Sequence, residues 1–112
     1  MTLAEVKNVF VSVLPAATFH YKAWSKPDKY IVWAEDGQAG ALLADDQTEE
    51  QIISGTADYF TKTEYDAIVK NIQSAMNKSD MTWYLNSVQY EEDTGYIHYE
   101  WVWEAMDSIG GF

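Results

Sequence analysis

The segment from residue 81 to 105, MTWYLNSVQYEEDTGYIHYEWVWEA, restricts the fold more than any other. Trp83, Leu85 and Ser87 alternate with Tyr84, Asn86, Val88 and Tyr90. Further on, Ile97, Tyr99, Trp101 and Trp103 alternate with Tyr96, His98, Glu100, Val102 and Glu104. Successive side chains on a strand point to opposite faces, so the second of these stretches has one apolar face and one mixed face. Between them, Glu91-Glu92-Asp93-Thr94-Gly95 has turn composition, and Gly95 can take the positive φ that a bulged hairpin loop requires. Two strong strand signals joined by so short a turn predict a β-hairpin, and they place it at the centre of the sheet.

The chain before the hairpin divides by period. Thr2 and Glu5 have capping-box spacing, and Leu3, Val6, Phe10, Val13 and Leu14 follow at helical spacing until Pro15, predicting a helix that stops at residue 13 or 14. Ala17 to Trp24 alternates as a strand, Ser25 to Asp28 is a turn, and Tyr30 to Glu35 is a nearly all-apolar strand. Asp36 to Gly40 reads as loop, Ala41 to Ala44 as a short strand, and Asp45 to Glu50 as an acidic loop. Gln51 to Thr61 reads as a long strand, or as a helix capped at Thr48 that Gly55 and the β-branched residues oppose. Tyr65, Ile68, Val69, Ile72, Ala75 and Met76 then recur at helical spacing behind a cap at Thr63 or Thr61, with Asp66 on the wet face. Residues 106 to 112 carry two glycines and no partner pattern, the mark of a loose tail. The expected architecture is one α+β domain over residues 1–112. Two helices pack on one face of a mostly antiparallel sheet, in the order helix, strands, helix, β-hairpin.

Charge narrows the function. Eighteen acidic residues face seven basic ones for a net charge of −11, and all seven are Lys. Phosphate neutralisation needs a basic patch, and its preferred fork is Arg, so tight nucleic-acid binding is not expected. No apolar run is long enough to cross a membrane. The N-terminal segment lacks a basic stretch before its apolar part, which predicts a mature helix and not a signal peptide. There is no cysteine, which removes disulfides and thiolate ligands.

Chemical motifs are sparse. No nucleophile elbow, P-loop, dinucleotide turn or zinc-protease helix occurs. His20, His98 and Glu100 would make a metal or acid–base site only by converging, and a solvated strand face has the same residues. Asp93-Thr94-Gly95 matches the aspartic-protease triplet but lacks a paired carboxylate and sits at a hairpin turn. The acidic clusters lack EF-hand spacing. No catalytic residue, cofactor site or metal site is therefore assigned. The rings carry more information. Five Trp and eight Tyr are hard to bury in 112 residues, and exposed Trp and Tyr are enriched at interfaces. The candidate interface is the hairpin with Trp83, Tyr96, Glu100 and Glu104, together with the acidic loop at Asp45, Asp46, Glu49 and Glu50. A small-molecule module with the aromatic sheet face as a pocket wall is the alternative.

Three stretches support a family resemblance: Gly55-Thr56-Ala57-Asp58-Tyr59-Phe60-Thr61-Lys62 with Glu64-Tyr65-Asp66, then Trp83 to Glu91, then Gly95 to Trp101. Together they resemble the small tail-completion proteins, of tail-terminator or head–tail joining type, of tailed phages and prophages of Gram-positive bacteria. The resemblance covers roughly residues 17 to 105 and transfers no site residues. It implies a structural virion protein made in the host cytoplasm. It also implies other tail or head–tail connector proteins as partners, and a homo-oligomeric ring, commonly a hexamer, that closes in the particle and need not form alone.

Overall fold

The computed structural model describes residues 1–44 and 47–108. Helix α1 runs Leu3–Val11 and has the expected capping box: Thr2 Oγ1 accepts from the Glu5 amide at 3.2 Å, and Glu5 Oε1 accepts from the Thr2 amide at 3.3 Å. It ends before residue 13, because Ser12 donates its hydroxyl back to the Val9 carbonyl at 2.7 Å and Pro15–Ala17 forms a separate 3-10 turn. Val6 and Phe10 are buried, while Leu3, Val9, Val13 and Leu14 flank them.

Strand β1 is only Thr18–His20, not the longer strand expected to Trp24. Tyr21 takes φ 68° and leaves the strand, its ring stacked on His20 at 3.8 Å and its hydroxyl donating to Glu35. The next two strands are longer than their sequence suggests. β2 is Lys29–Ala44 and β3 is Gln47–Thr61, antiparallel partners from Lys29↔Thr61 to Ala44↔Gln47. The loop expected at Asp36 to Gly40 is therefore strand, and so is the acidic stretch from Gln47 to Glu50. Register shifts at Glu35/Gly37, Gln38/Gly40 and Leu42/Leu43 explain why. Bulges take up the small residues without ending the ladder. The described residues span 52 × 25 × 23 Å, an elongated shape set by these two strands.

Helix α2 is Ala67–Lys78, and its cap is Asp66, not Thr63 or Thr61. Asp66 Oδ1 accepts from the Ile68 amide at 2.9 Å, and Oδ2 accepts the hydroxyls of Tyr59 at 2.6 Å and Thr61 at 2.7 Å. Lys29 Nζ lies 3.4 Å from the same oxygen. Tyr65, expected on the apolar face, instead takes φ 54° ahead of the helix and is 97% exposed. Ile72 and Met76 are buried, with Ile68 and Val69 packed beside them.

β4 (Thr82–Glu91) and β5 (Tyr96–Ser108) form the expected hairpin, with Gly95 at φ 78°. The sheet order is β1-β2-β3-β5-β4. The centre is thus β3, and the hairpin lies at one side with β4 as an edge. Met106 to Ser108 are no loose tail, since they pair with Ile52 to Glu50; residues 109–112 lie outside the described residues. Among the described residues, β1 against β2 is the one parallel pairing. Both helices cover one face of the sheet, over Ile31, Trp33, Ile53, Ala57, Tyr59, Trp101 and Trp103. Trp101 and Trp103 are fully buried, their indole N–H groups donating to Gln73 Oε1 at 3.1 Å and the Thr56 carbonyl at 2.9 Å. Burying 150–250 Å² per ring is worth roughly 4–6 kcal/mol before conformational entropy is subtracted.

Candidate interaction surface

The alternation in β5 sends Trp101 and Trp103 under the helices and Tyr96, His98, Glu100 and Glu104 to the helix-free face. The expected interface residues then separate. Trp83 pairs with Trp103 on the helix side, packs against the core and donates its indole N–H to Asn77 Oδ1 at 2.9 Å. Tyr96 is on the helix-free face but only 7% exposed. It packs with Ala17 and Tyr30, and its hydroxyl donates to the carbonyls of Lys26 (2.9 Å) and Pro27 (2.7 Å). The 21–28 connection thus covers that end of the face, and the Tyr96 ring is an internal clamp. Glu100 accepts from Asn86 Nδ2 at 2.7 Å, and Glu104, opposite Thr82, is exposed. Glu50 is half-buried in β3. Asp45 and Asp46 lie outside the described residues, and Glu49 is described for its backbone alone.

One polar cluster does converge on the helix-free face, and it contains Asp58 where the sequence suggested His20. His98 Nε2 lies 2.6 Å from Asp58 Oδ1 and Nδ1 lies 3.7 Å from Glu91 Oε2, with the imidazole stacked on Phe60 at 4.2 Å. The Asp58 hydrogen bond is the main reason the His98 pKa is raised; burial opposes it, and the charges of Asp58, Glu91 and Glu100 add to it. Ligand atoms of Asp58, His98 and Glu100 fall within 4.8 Å of one another. The arrangement holds a proton between imidazole and carboxylate, and its donors are of a type divalent ions accept. His20 lies elsewhere, stacked on Trp33 at 4.0 Å and paired with Glu35 at 2.9 Å, so His20, His98 and Glu100 do not converge.

The most exposed apolar side chains of the hairpin were missed by the sequence analysis. Tyr84 (57% exposed), Leu85 (42%), Val88 (51%) and Tyr90 (65%) belong to β4, and Met106 (42%) to β5. No strand pairs with the outer edge of β4 among the described residues. The signal was present: both alternating sets of β4 carry apolar or aromatic residues, Trp83 and Leu85 in one and Tyr84, Val88 and Tyr90 in the other. On an edge, the same pattern leaves apolar surface open. A separate groove of about 270 Å³ on the helix-free face is lined by Tyr21, Lys22, Lys26, Tyr30, Asp58 and Phe60, among others.

No family model matches this sequence, and no curated protein does. Among solved structures the fold is similar to a chain in the virion of a native gene transfer agent particle. That likeness covers 93% of this chain and 87% of the other, with a TM-score of 0.57 and 13% identity. At that identity it is a likeness of fold.

Proposed function

We propose that this protein is a structural virion component of a tailed phage or prophage, a tail terminator or head–tail joining protein that acts by assembling into a ring. The observation that carries this is the fold likeness to a chain of a gene transfer agent virion, which spans nearly the whole of both chains. Two features support it independently. The exposed apolar side chains of β4 are of the kind that contacts with a neighbouring protein of a particle bury. The net charge of −11 without a single Arg suits a component past which DNA slides without adhering. In this reading the partners are further copies in the particle and neighbouring tail or connector proteins. Glu100, Glu104 and the acidic residues Asp45, Asp46, Glu49 and Glu50 line the lumen or a subunit contact.

A small-molecule module on the aromatic face has one observation in its favour, the groove beside Tyr30 and Phe60. At about 270 Å³ it falls below the usual 300–1,000 Å³ of ligand pockets. Assembly is the better-supported reading. The test is disruption of the gene in the producing strain, followed by electron microscopy of the particles. Tails of irregular length or heads without tails are expected. Normal virions, with heads joined to tails of normal length, would refute the proposal.

A further inference from the structure

The edge strand β4 has a composition that natural edges avoid. An unpaired edge presents a row of free N–H and C=O groups, and proteins blunt such rows with Lys, Pro, short strands or bulges. β4 spans Thr82–Glu91 and contains neither Lys nor Pro; its one irregularity is the register shift between Leu85 and Ser87. At the opposite side β1 is three residues long and pairs with Ile31 to Trp33 of β2. Exposed Tyr84 lies on the helix-free face of β4, and exposed Leu85 and Val88 lie on the helix side, so an incoming strand would find apolar contacts on both faces.

Charge identifies what such a strand carries. From residue 79 to 112 the chain contains no Lys or Arg and seven carboxylates, of which Asp107 pairs with the Met1 ammonium at 3.7 Å and the other six are Asp80, Glu91, Glu92, Asp93, Glu100 and Glu104. Asp80 precedes β4, Glu91 ends it, Glu92 and Asp93 form the turn, and Glu104 stands opposite Thr82. A second copy joined β4 to β4 would bring the same charges together, at a cost. A basic strand would neutralise them.

We propose that the outer edge of β4 receives an extended segment of a different protein, one that alternates apolar residues with Lys or Arg. Backbone hydrogen bonds supply the attachment, Tyr84, Leu85 and Val88 supply apolar contact, and the surrounding carboxylates select a cationic partner. This deepens the assembly reading by naming the chemistry of a partner, and it is tested separately from it. Gene disruption judges the virion role, whereas the following titration reads β4 directly.

The probes are two synthetic ten-residue peptides, one alternating lysine with valine and the other glutamate with valine. Each is titrated into the ¹⁵N-labelled protein while amide shifts and hydrogen exchange are followed. The lysine peptide is expected to saturate with a Kd below about 1 mM and to slow exchange of β4 amides. The glutamate peptide should bind at least about tenfold more weakly, and Val88→Lys should weaken the lysine peptide by a similar factor while leaving the melting temperature unchanged. Absence of binding by both peptides would overturn the proposal. So would equal binding of the two, perturbations centred outside β4, or dimerisation of the protein through β4 as its concentration is raised.

Discussion

Gly55 is the position where a single methyl group should do most damage. A Cβ there would lie 2.2 Å from the Ala34 carbonyl oxygen and 2.2 Å from Trp103 Cζ2. Both distances are far inside van der Waals contact, and neither neighbour can yield freely. Ala34 belongs to the β2–β3 ladder, and Trp103 is fully buried with its indole N–H on the Thr56 carbonyl. Gly55→Ala must push the indole aside, costing about 1–3 kcal/mol for overpacking and about 1–3 kcal/mol if the indole N–H loses its acceptor. Relief of glycine's unfolded-state entropy returns about 0.4–1 kcal/mol. The expected net loss is about 1–5 kcal/mol, a large part of the 5–15 kcal/mol typical of a native protein. With 112 residues, each kcal/mol corresponds to about 4 °C in Tm. Denaturant unfolding followed by tryptophan fluorescence measures it. Gly37→Ala is the internal control, because its new methyl would meet only Ser54 Oγ at 3.8 Å, and it should change stability by less than about 1 kcal/mol. A Gly55→Ala protein as stable as the parent, or a Gly37→Ala protein that loses as much, would refute the packing argument.

The cap of α2 offers a second test. Asp66→Ala removes the cap and strands the Tyr59 and Thr61 hydroxyls, for an expected loss of about 2–5 kcal/mol in chemical denaturation. Burial alone would raise the Asp66 pKa, but hydrogen bonds from Tyr59, Thr61 and Ile68, with the Lys29 charge, outweigh it and hold it low. The stability this contributes is present above the ordinary carboxylate pKa and lost as pH falls through the lower folded value. The gap between the parent and Asp66→Asn should therefore narrow on acidification below about pH 4, and a gap that widens would contradict the sign. His98 behaves oppositely: with its pKa raised, its contribution is complete below about pH 6.5 and lost as pH rises through the folded value. The advantage of the parent over His98→Gln should shrink across that window, and a growing advantage would count against the Asp58 pairing. Finally, the protein should pass unretained through a DNA column at physiological salt, and retention would show that its charge does not govern that encounter.

Local chemistry was legible where one residue decides it. The Thr2–Glu5 box and the Gly95 turn needed only their neighbours, and both formed. The start of α2 was not, because Thr61, Thr63 and Asp66 are all competent caps. The choice falls to Asp66 because Tyr59 and Thr61, on a strand packed beside it, donate to its carboxylate. Strand lengths failed for a related reason: Gly37 and Gly40 look like loop until a facing strand supplies a register in which bulges absorb them. The helix-free face was visible as alternation in β5. What it presents was not, because Tyr96 is covered by the distant 21–28 segment and β4 turns out to be an edge.

The strand order also dictates when this sheet can be completed. β5 lies between β3 and β4, yet it follows both in the chain. Until β5 is made, β4 has no partner in the sheet, the finished β2–β3 pair keeps one long edge open, and the indoles of Trp101 and Trp103 are missing from beneath the helices. A nascent chain that has emerged only as far as β4 therefore holds the β2–β3 pair and α2 but no closed core, and β5 must then pair with both β4 and β3, two segments already made. Folding of this kind depends on contacts distant in sequence and is slow to begin. The interval in which β3 and β4 are both bare is the moment when a chain with such apolar edges most needs to be kept away from its neighbours.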